Sequence, residues 1–459
     1  TYNINKTDLN DIKTEFKKIL YYSHFLFNTH GISRDGIFYD INMYDLYSYS
    51  RNAILSKIKD YKKSIYINND VFDVIIKDNK IIEITKNFND TNLLKQNPIT
   101  IYDCSGLIMA PGLVDIRVNI GKTENLKLMQ KVAVENGITS MVLLPNQTPK
   151  LNNPSIIDHI QRQSEDISLP KVWVYGAATK DDASLEMCEL GLMSEMGAVG
   201  FTNGNKSIKN SLVLRRVMNY SKMINRPVIQ HAEDEDLSGL NQASTTSIRG
   251  EMNEGEISTR LGLIGIPACA EVIMIERDIR LAKLTGVHYH VAHVSTRDGI
   301  DVIRKAKKEG VKITCDTAPP YFALNEKELL SYNTAFKLSP PLRCEDDRLA
   351  IIEGIQDGTI DAIASDHRSR SKDTKIQPFS AASIGASGIE TLFLLTLELV
   401  NNKIIDLHKA ISLLTTNPAN ILNLDKNTIG KNQKATFIIF DENAQAHIDK
   451  NQLKTSPTP

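Results

Sequence analysis

The chain has 459 residues, 41% of them hydrophobic and 24% charged, and its 54 basic and 55 acidic residues leave a net charge of −1. Such a chain buries a large core, and its balanced charge offers no basic surface for nucleic acid or an anionic membrane. No apolar run reaches the roughly 18 residues that cross a bilayer, and the five cysteines (Cys104, Cys188, Cys269, Cys315, Cys344) include no Cys-x-x-Cys pair, which points to a reducing, cytoplasmic setting without disulfides.

Residues 1–62 are rich in Tyr, Asn, Lys and Asp and read as an N-terminal extension, with helical patterns near Leu9–Leu20 and Asn42–Tyr61. From Ser64 the pattern changes. SIYINND, VFDVIIKDNK and IIEITK are short β-rich runs separated by Asn-Asp and Asp-Asn turns. A similar run returns in Gly430–Asp441 (GKNQKATFIIFD). Residues 63–108 and 427–445 are therefore expected to form one small β-sandwich-like domain from two separate stretches. Residues 446–459, ending in TSPTP, read as a loosely ordered tail.

Between them, residues 109–426 alternate strand and helix. Eight β-rich runs end near Asp115 (LVDIRVN), Leu144 (SMVLLP), Gly176 (VWVYG), Phe201 (AVGF), His231 (PVIQH), His293 (YHVAH), Asp316 (KITCD) and Asp366 (AIASD). A helix is expected over Thr123–Asn136, with Leu126, Met129 and Ala133 on one face and Gly137 after its end. Another is expected over Thr296–Glu309, with Ile300, Ile303 and Ala306 inward and Gly310 as its stop. Eight such units predict an α/β fold of the (β/α)8 TIM-barrel type, whose chemistry sits at the C-terminal strand ends. Three of those ends carry metal-capable side chains: His231, His293 and Asp366. A lone His at a strand end is more often a hydrogen-bonded core residue. Three such groups converging on one barrel mouth point instead to a catalytic zinc site.

The order of short motifs narrows this further. APGLVDIRVN, LLPNQTP, GAVGFTNGN, IQHAED, NEGEISTRLGLIGIPACAE, YHVAHVST, FKLSPPLR, IASDHRSR and GASGIET run in sequence from about residue 65 to 445. They resemble the motifs of dihydroorotases, in the amidohydrolase superfamily. The resemblance implies two divalent metals, commonly zinc, that lower the pKa of a bridging water to about 7 and so supply a nucleophile. It also implies a strand-eight aspartate that shuttles the proton to the leaving amide nitrogen.

Taken position by position, His231, His293 and Asp366 match the family's metal-site and catalytic residues, and Asn146 matches its substrate asparagine. Other positions depart. The first-strand His-x-His pair is Arg117 and Asn119. The arginine that grips the substrate carboxylate falls at Gly121. The bridging carboxylate falls at Asn203, a second substrate asparagine at Ser339, and the later histidine of the strand-eight motif at Arg370. A guanidinium cannot act as a metal ligand. Arg117 is therefore expected to pair with Asp366 in place of the first metal, leaving no zinc or a single one at His231 and His293. These losses predict a pseudoenzyme kept for a structural or partner-binding role. The alternatives are an active one-metal cyclic amidohydrolase and a self-assembling structural protein like the non-enzymatic dihydropyrimidinase relatives. The resemblance further implies homo-oligomers and names aspartate transcarbamoylase as a partner.

Overall fold

The computed structural model describes residues 38–39, 52–60, 71–86, 100–121, 124–165, 170–239, 249–425, 428–445 and 453–455. They belong to two units, residues 1–112 with 427–453 and residues 113–426 with 454–459.

In the first unit, seven strands share one sheet. Its order is Phe38–Tyr39, Phe437–Phe440, Ile108–Pro111, Asn52–Asp60, Val71–Lys77 and Lys80–Thr85, with Thr100–Asp103 pairing off this path against Asn52–Asp60. Val71–Lys77 and Lys80–Thr85 form a hairpin closed by Asp78 and Asn79, with φ of 50° and 61°. Two successive positive φ values make the tight turn whose twist matches the flanking strands. Val74, Ile76, Ile81, Tyr102, Phe437 and Ile439 form the core.

The helix expected over 42–61 is replaced at 52–60 by a strand. That segment pairs antiparallel with Val71–Lys77 on one side and parallel with Thr100–Asp103 and Ile108–Pro111 on the other. Ladder hydrogen bonds on both sides outweigh a weak local helical preference. The small β unit thus draws in residues 38–39 and 52–60 from the expected extension, while the helix expected at Leu9–Leu20 lies outside the described residues.

The second unit is the barrel. Its parallel strands are β1 (Leu113–Asn119), β2 (Ile138–Leu143), β3 (Lys171–Ala177), β4 (Ala198–Thr202), β5 (Val228–His231), β6 (Tyr289–Ala292), β7 (Ile313–Thr317) and β8. β8 comes in two pieces: Ala362–Ile363 pairs with β7, and His367–Arg368 pairs with β1. The split strand closes the ring. Across the break, Ala364 N–H still donates to Thr317 O, and Ser365 N–H donates to the buried carboxylate of Asp115 on β1. Apolar side chains, among them Val114, Ile116, Val142, Tyr175, Ile229 and Ala364, fill the interior, as expected of a packed barrel rather than a pore.

Both helices expected from the pattern form. The first, α1 (Leu126–Glu135), is capped by Asn125 Oδ1 accepting from Leu128 N–H and ends before Gly137, at φ +78°. The other, Arg297–Lys308, is capped by Thr296 and ends before Gly310, at φ +77°. Of the tail expected at 446–459, residues 453–455 are described. The backbone N–H groups of Lys454 and Thr455 donate to Glu390, and Thr455 is buried.

One buried carboxylate ties the barrel wall to its mouth. Glu271, in the helix Cys269–Thr285, accepts from the backbone N–H and hydroxyl of both Ser295 and Thr296, just beyond β6. Replacing it by Ala strands four donors in a dry site, so Glu271→Ala is expected to lower the unfolding free energy by about 3 kcal/mol in urea titration. A loss below about 1 kcal/mol would show that the donors find other partners.

Candidate active site

The barrel mouth is organised by two residues in strained backbone. His293, one residue past β6, has φ 39°, and Asp366, in the break of β8, has φ 48°. Non-glycine residues adopt this region at a cost, and such residues cluster at functional sites. Asp316 supports the first by accepting the His293 backbone N–H at 2.7 Å.

A buried chain of polar contacts runs through them. Arg117 Nε donates to Asp366 Oδ1 at 2.7 Å, and His293 Nδ1 lies 3.0 Å from Asp366 Oδ2. His293 Nε2 stands 2.8 Å from His231 Nδ1, and His231 Nε2 stands 3.2 Å from Glu233 Oε2. With both carboxylates ionised, each imidazole donates outward, so the two facing nitrogens need a proton or another cation between them. Burial would raise the Asp366 pKa, but His293 and Arg117 together hold it well below the usual carboxylate range. Burial and the Arg117 charge push His293 down to about 4, against the pull of Asp366. Tyr321 meets the His293 ring edge-on. The pairing expected between Arg117 and Asp366 is present. The Arg117 guanidinium also donates to Asn205 Oδ1 at 3.1 Å, while its Nη1 is buried without a partner.

The remaining sequence candidates scatter. Asn203 faces away from the centre: its Oδ1 accepts from the Thr179 N–H and hydroxyl, both at 3.1 Å. Asn146 is not free for a substrate. Its Oδ1 accepts from Asn205 N–H, and its Nδ2 donates to Asn203 O and Asp182 Oδ2. Gly204 allows that approach, since a Cβ there would lie 1.4 Å from Asn146 Oδ1. A Cβ at Gly121 would lie 2.5 Å from Ser369 Oγ and 3.2 Å from Ser369 O, so a side chain there would require the serine hydroxyl to turn aside. Asn119 is partly exposed at the end of β1. Arg370 spends its Nε on Ile384 O at 2.7 Å. Ser339 and Asp366 line a cavity of about 130 Å³ at the mouth.

The family's two-metal centre does not fit this donor set. Arg117 has no lone pair to offer and its charge repels a dication. Asn203 is turned onto Thr179, and both Asp366 oxygens are engaged. The two facing imidazole nitrogens are 2.8 Å apart, whereas two nitrogens on one tetrahedral zinc at about 2.0–2.1 Å stand roughly 3.3 Å apart. Asp366, expected as a third ligand beside them, sits instead at the far nitrogen of His293. Among the described residues, no group of three or more His, Cys, Asp or Glu side chains is arranged to hold a metal.

Three participants were missed in the sequence. Glu233 lies two residues beyond a strand end, where strand alternation no longer predicts direction. Asn205 has no distinctive local signal. Arg368 sits beside the strand-eight aspartate, and its signal was the unusual density of arginine in Asp366–Arg370.

The Dihydro-orotase-like family model matches residues 106–299. A dihydroorotase of Anaplasma phagocytophilum (strain HZ) is 37% identical over 368 residues, covering 79% of this chain and 80% of that protein. One of Caldicellulosiruptor saccharolyticus is 36% identical over 377 residues, covering 80% and 84%. Among solved structures, dihydropyrimidinase from Brevibacillus agri NCHU1002 superposes with a TM-score of 0.73 at 20% identity, covering 89% of this chain and 90% of that one. L-Hydantoinase from Arthrobacter aurescens gives 0.70 at 22%, covering 83% and 85%. These two likenesses concern the fold.

Arg117→Met removes one partner of a buried ion pair and is expected to lower stability by about 3 kcal/mol at pH 7. It also relieves the pressure on His293, whose pKa should rise from about 4 toward the unfolded value near 6.5. In the wild type, the unfolded imidazole takes up a proton that the folded one refuses, so His293 makes stability fall as pH drops from about 6.5 to 4. In the variant that slope should flatten. Imidazole NMR titration and urea unfolding across this pH range check both effects, and an unmoved His293 would refute the electrostatic coupling.

Proposed function

The chain belongs to the dihydroorotase family, and from that premise we propose that it is a non-hydrolytic member, a pseudoenzyme whose barrel is kept for binding and assembly. One observation carries this reading: the buried Arg117 guanidinium bonded to Asp366 at 2.7 Å. A metal in that place would neutralise the aspartate and also generate hydroxide. The guanidinium supplies the first effect and not the second, because it neither binds nor acidifies water. With both oxygens engaged and its pKa held down, Asp366 is also a poor proton shuttle for a leaving amide nitrogen. Of the positions that would orient a substrate, Asn146 is bonded to its neighbours and residue 121 is a glycine with no side chain to offer.

A second reading rests on the facing nitrogens of His231 and His293, each imidazole backed by a carboxylate. That arrangement orients metal-bound histidines elsewhere, and a small separation of the rings would admit one ion for a one-metal cyclic amidohydrolase. Two measurements decide between the readings. The purified full chain is expected to contain less than about 0.1 zinc per chain by elemental analysis, after growth with added zinc. It is also expected not to open the dihydroorotate ring above the solvent background, followed by ultraviolet absorbance. Stoichiometric zinc lost in His231→Ala, together with turnover, would sink the pseudoenzyme reading. For assembly, the proposed partners are a second copy of the chain and aspartate transcarbamoylase, tested by co-elution in size-exclusion chromatography.

A further inference from the structure

A second cavity, of about 100 Å³, opens at the other end of the barrel. Its lining residues Pro227, His288 and Lys312 stand just before β5, β6 and β7, so it sits at the N-terminal ends of the strands, opposite the mouth. Four of its side chains are basic: Lys222, Arg226, His288 and Lys312. No Asp or Glu is among the described residues that line it. The acids closest in sequence to its lining residues Lys312 and Asn423 are engaged elsewhere, Glu309 with Lys283 and Asp425 with Lys171. Like charges crowded into one hollow repel, and an anion among them relieves that repulsion.

Cations at this face of a barrel have an ordinary explanation, attraction to the carbonyls at helix C-termini. Here those carbonyls are already taken. Asn225 N–H donates to Lys222 O, Arg226 N–H to Ser221 O and Gly286 N–H to Ala282 O, which closes the helices Ser211–Met223 and Cys269–Thr285 with their own backbone. Among the described residues, neither the Lys222 nor the Lys312 ammonium has a hydrogen-bond or carboxylate partner. The Lys222 Nζ is turned onto the cavity wall: a Cβ at Gly286, which lines it, would lie 2.5 Å from that nitrogen. Arg226 is half-buried and fixed by its Nε donating to Ser194 Oγ at 2.9 Å, which leaves its Nη groups without a partner among the described residues.

His288 is fixed from the inside of the barrel. Its Nε2 and His290 Nδ1 each lie 2.8 Å from Thr314 Oγ1, and His290 Nε2 lies 2.8 Å from Asp316 Oδ2. Asp316 takes the His290 Nε2 proton, so the Thr314 hydroxyl donates to His290 Nδ1 and accepts from His288 Nε2–H. The free nitrogen of His288 is then Nδ1. Burial, His290 and Lys312 push this imidazole down to about 4, and no carboxylate pulls it back.

We propose that this basal cavity binds one phosphate-sized oxyanion, held between the Lys222 and Lys312 ammoniums and the Arg226 guanidinium, with His288 beside it. Lysine offers phosphate a point charge and arginine a planar fork of donors. A volume of about 100 Å³ equals roughly three waters, whereas a benzene ring occupies a cavity of about 150 Å³, so a tetrahedral oxyanion fits and a ring does not. The site shares no lining residue with the cavity at the mouth, so it stands whether or not the mouth hydrolyses a substrate.

The test is a titration of the full chain with inorganic phosphate at fixed ionic strength, read by calorimetry and by imidazole NMR. Phosphate is expected to bind saturably at one per chain and to move the His288 signals more than those of His159, which lines neither cavity. Lys222→Gln combined with Lys312→Gln should weaken binding at least about tenfold. It should not lower the thermal midpoint measured without phosphate, since both ammoniums are exposed and unpartnered. Lys127→Gln, in α1 and outside the cavity, should bind as the wild type does. Phenyl phosphate binding as tightly as phosphate identifies the phosphoryl end of a larger molecule, and phosphate alone a free ion. No saturable binding to the folded wild type, or equal affinity in the double variant, would overturn the proposal. Saturable binding that leaves His288 unmoved would place the anion elsewhere and overturn it equally.

Discussion

A single guanidinium governs the charge of the barrel mouth. Arg117 is buried on the first strand, and its bond to Asp366 on the eighth spans the seam where the barrel closes. Partial burial without a cation would raise the pKa of such a carboxylate. Here it stays ionised, and His293 is kept neutral beside it. The relay through His231 to Glu233 follows from that first choice of charge. So does the misfit with a two-metal centre, because a fixed cation and a divalent ion compete for the same carboxylate.

The closure of the barrel explains why this pair is possible. A continuous eighth strand would point Asp366 according to simple alternation. The break at residues 364–366 instead hands the ladder from Thr317 to Asp115 and His367, and it lets Asp366 adopt φ 48°. His293 is bent similarly, with Asp316 holding its backbone and Glu271 holding the residues after it. The buried carboxylates Asp115, Asp316 and Glu271 thus serve backbone geometry.

The losses also form one physical pattern. Around several of the family positions a neighbouring group takes the space or the hydrogen bond. Ser369 crowds Gly121, Thr179 takes Asn203, and Asn205 takes Asn146. Among the described residues, buried donors without a partner include Arg117 Nη1, Asn205 Nδ2 and Arg368 Nε near the barrel mouth, and others such as Trp173 Nε1 and Arg343 Nη2.

How much of this was legible in the sequence depended on the range of the interactions. Periodicity and the glycine stops sufficed for α1 and Arg297–Lys308, and the Asp-Asn pair for the Asp78–Asn79 turn, since these signals act within a few residues; the cap at Asn125 was not among them. The ordered motifs sufficed for the barrel and the family, and the chemistry of guanidinium sufficed to pair Arg117 with Asp366. The strand at 52–60 was not legible, because its partners lie up to some fifty residues away. Nor were the directions of Asn203 and Asn146, the approach of Glu233 to His231, or the isolation of Arg368. Each depends on backbone bends and neighbours brought together only by closing the barrel. Residue types alone determined that Arg117 brings a fixed cation to the first strand, and tertiary structure decided that Asp366 on the eighth receives it, because only closure of the barrel brings the two together.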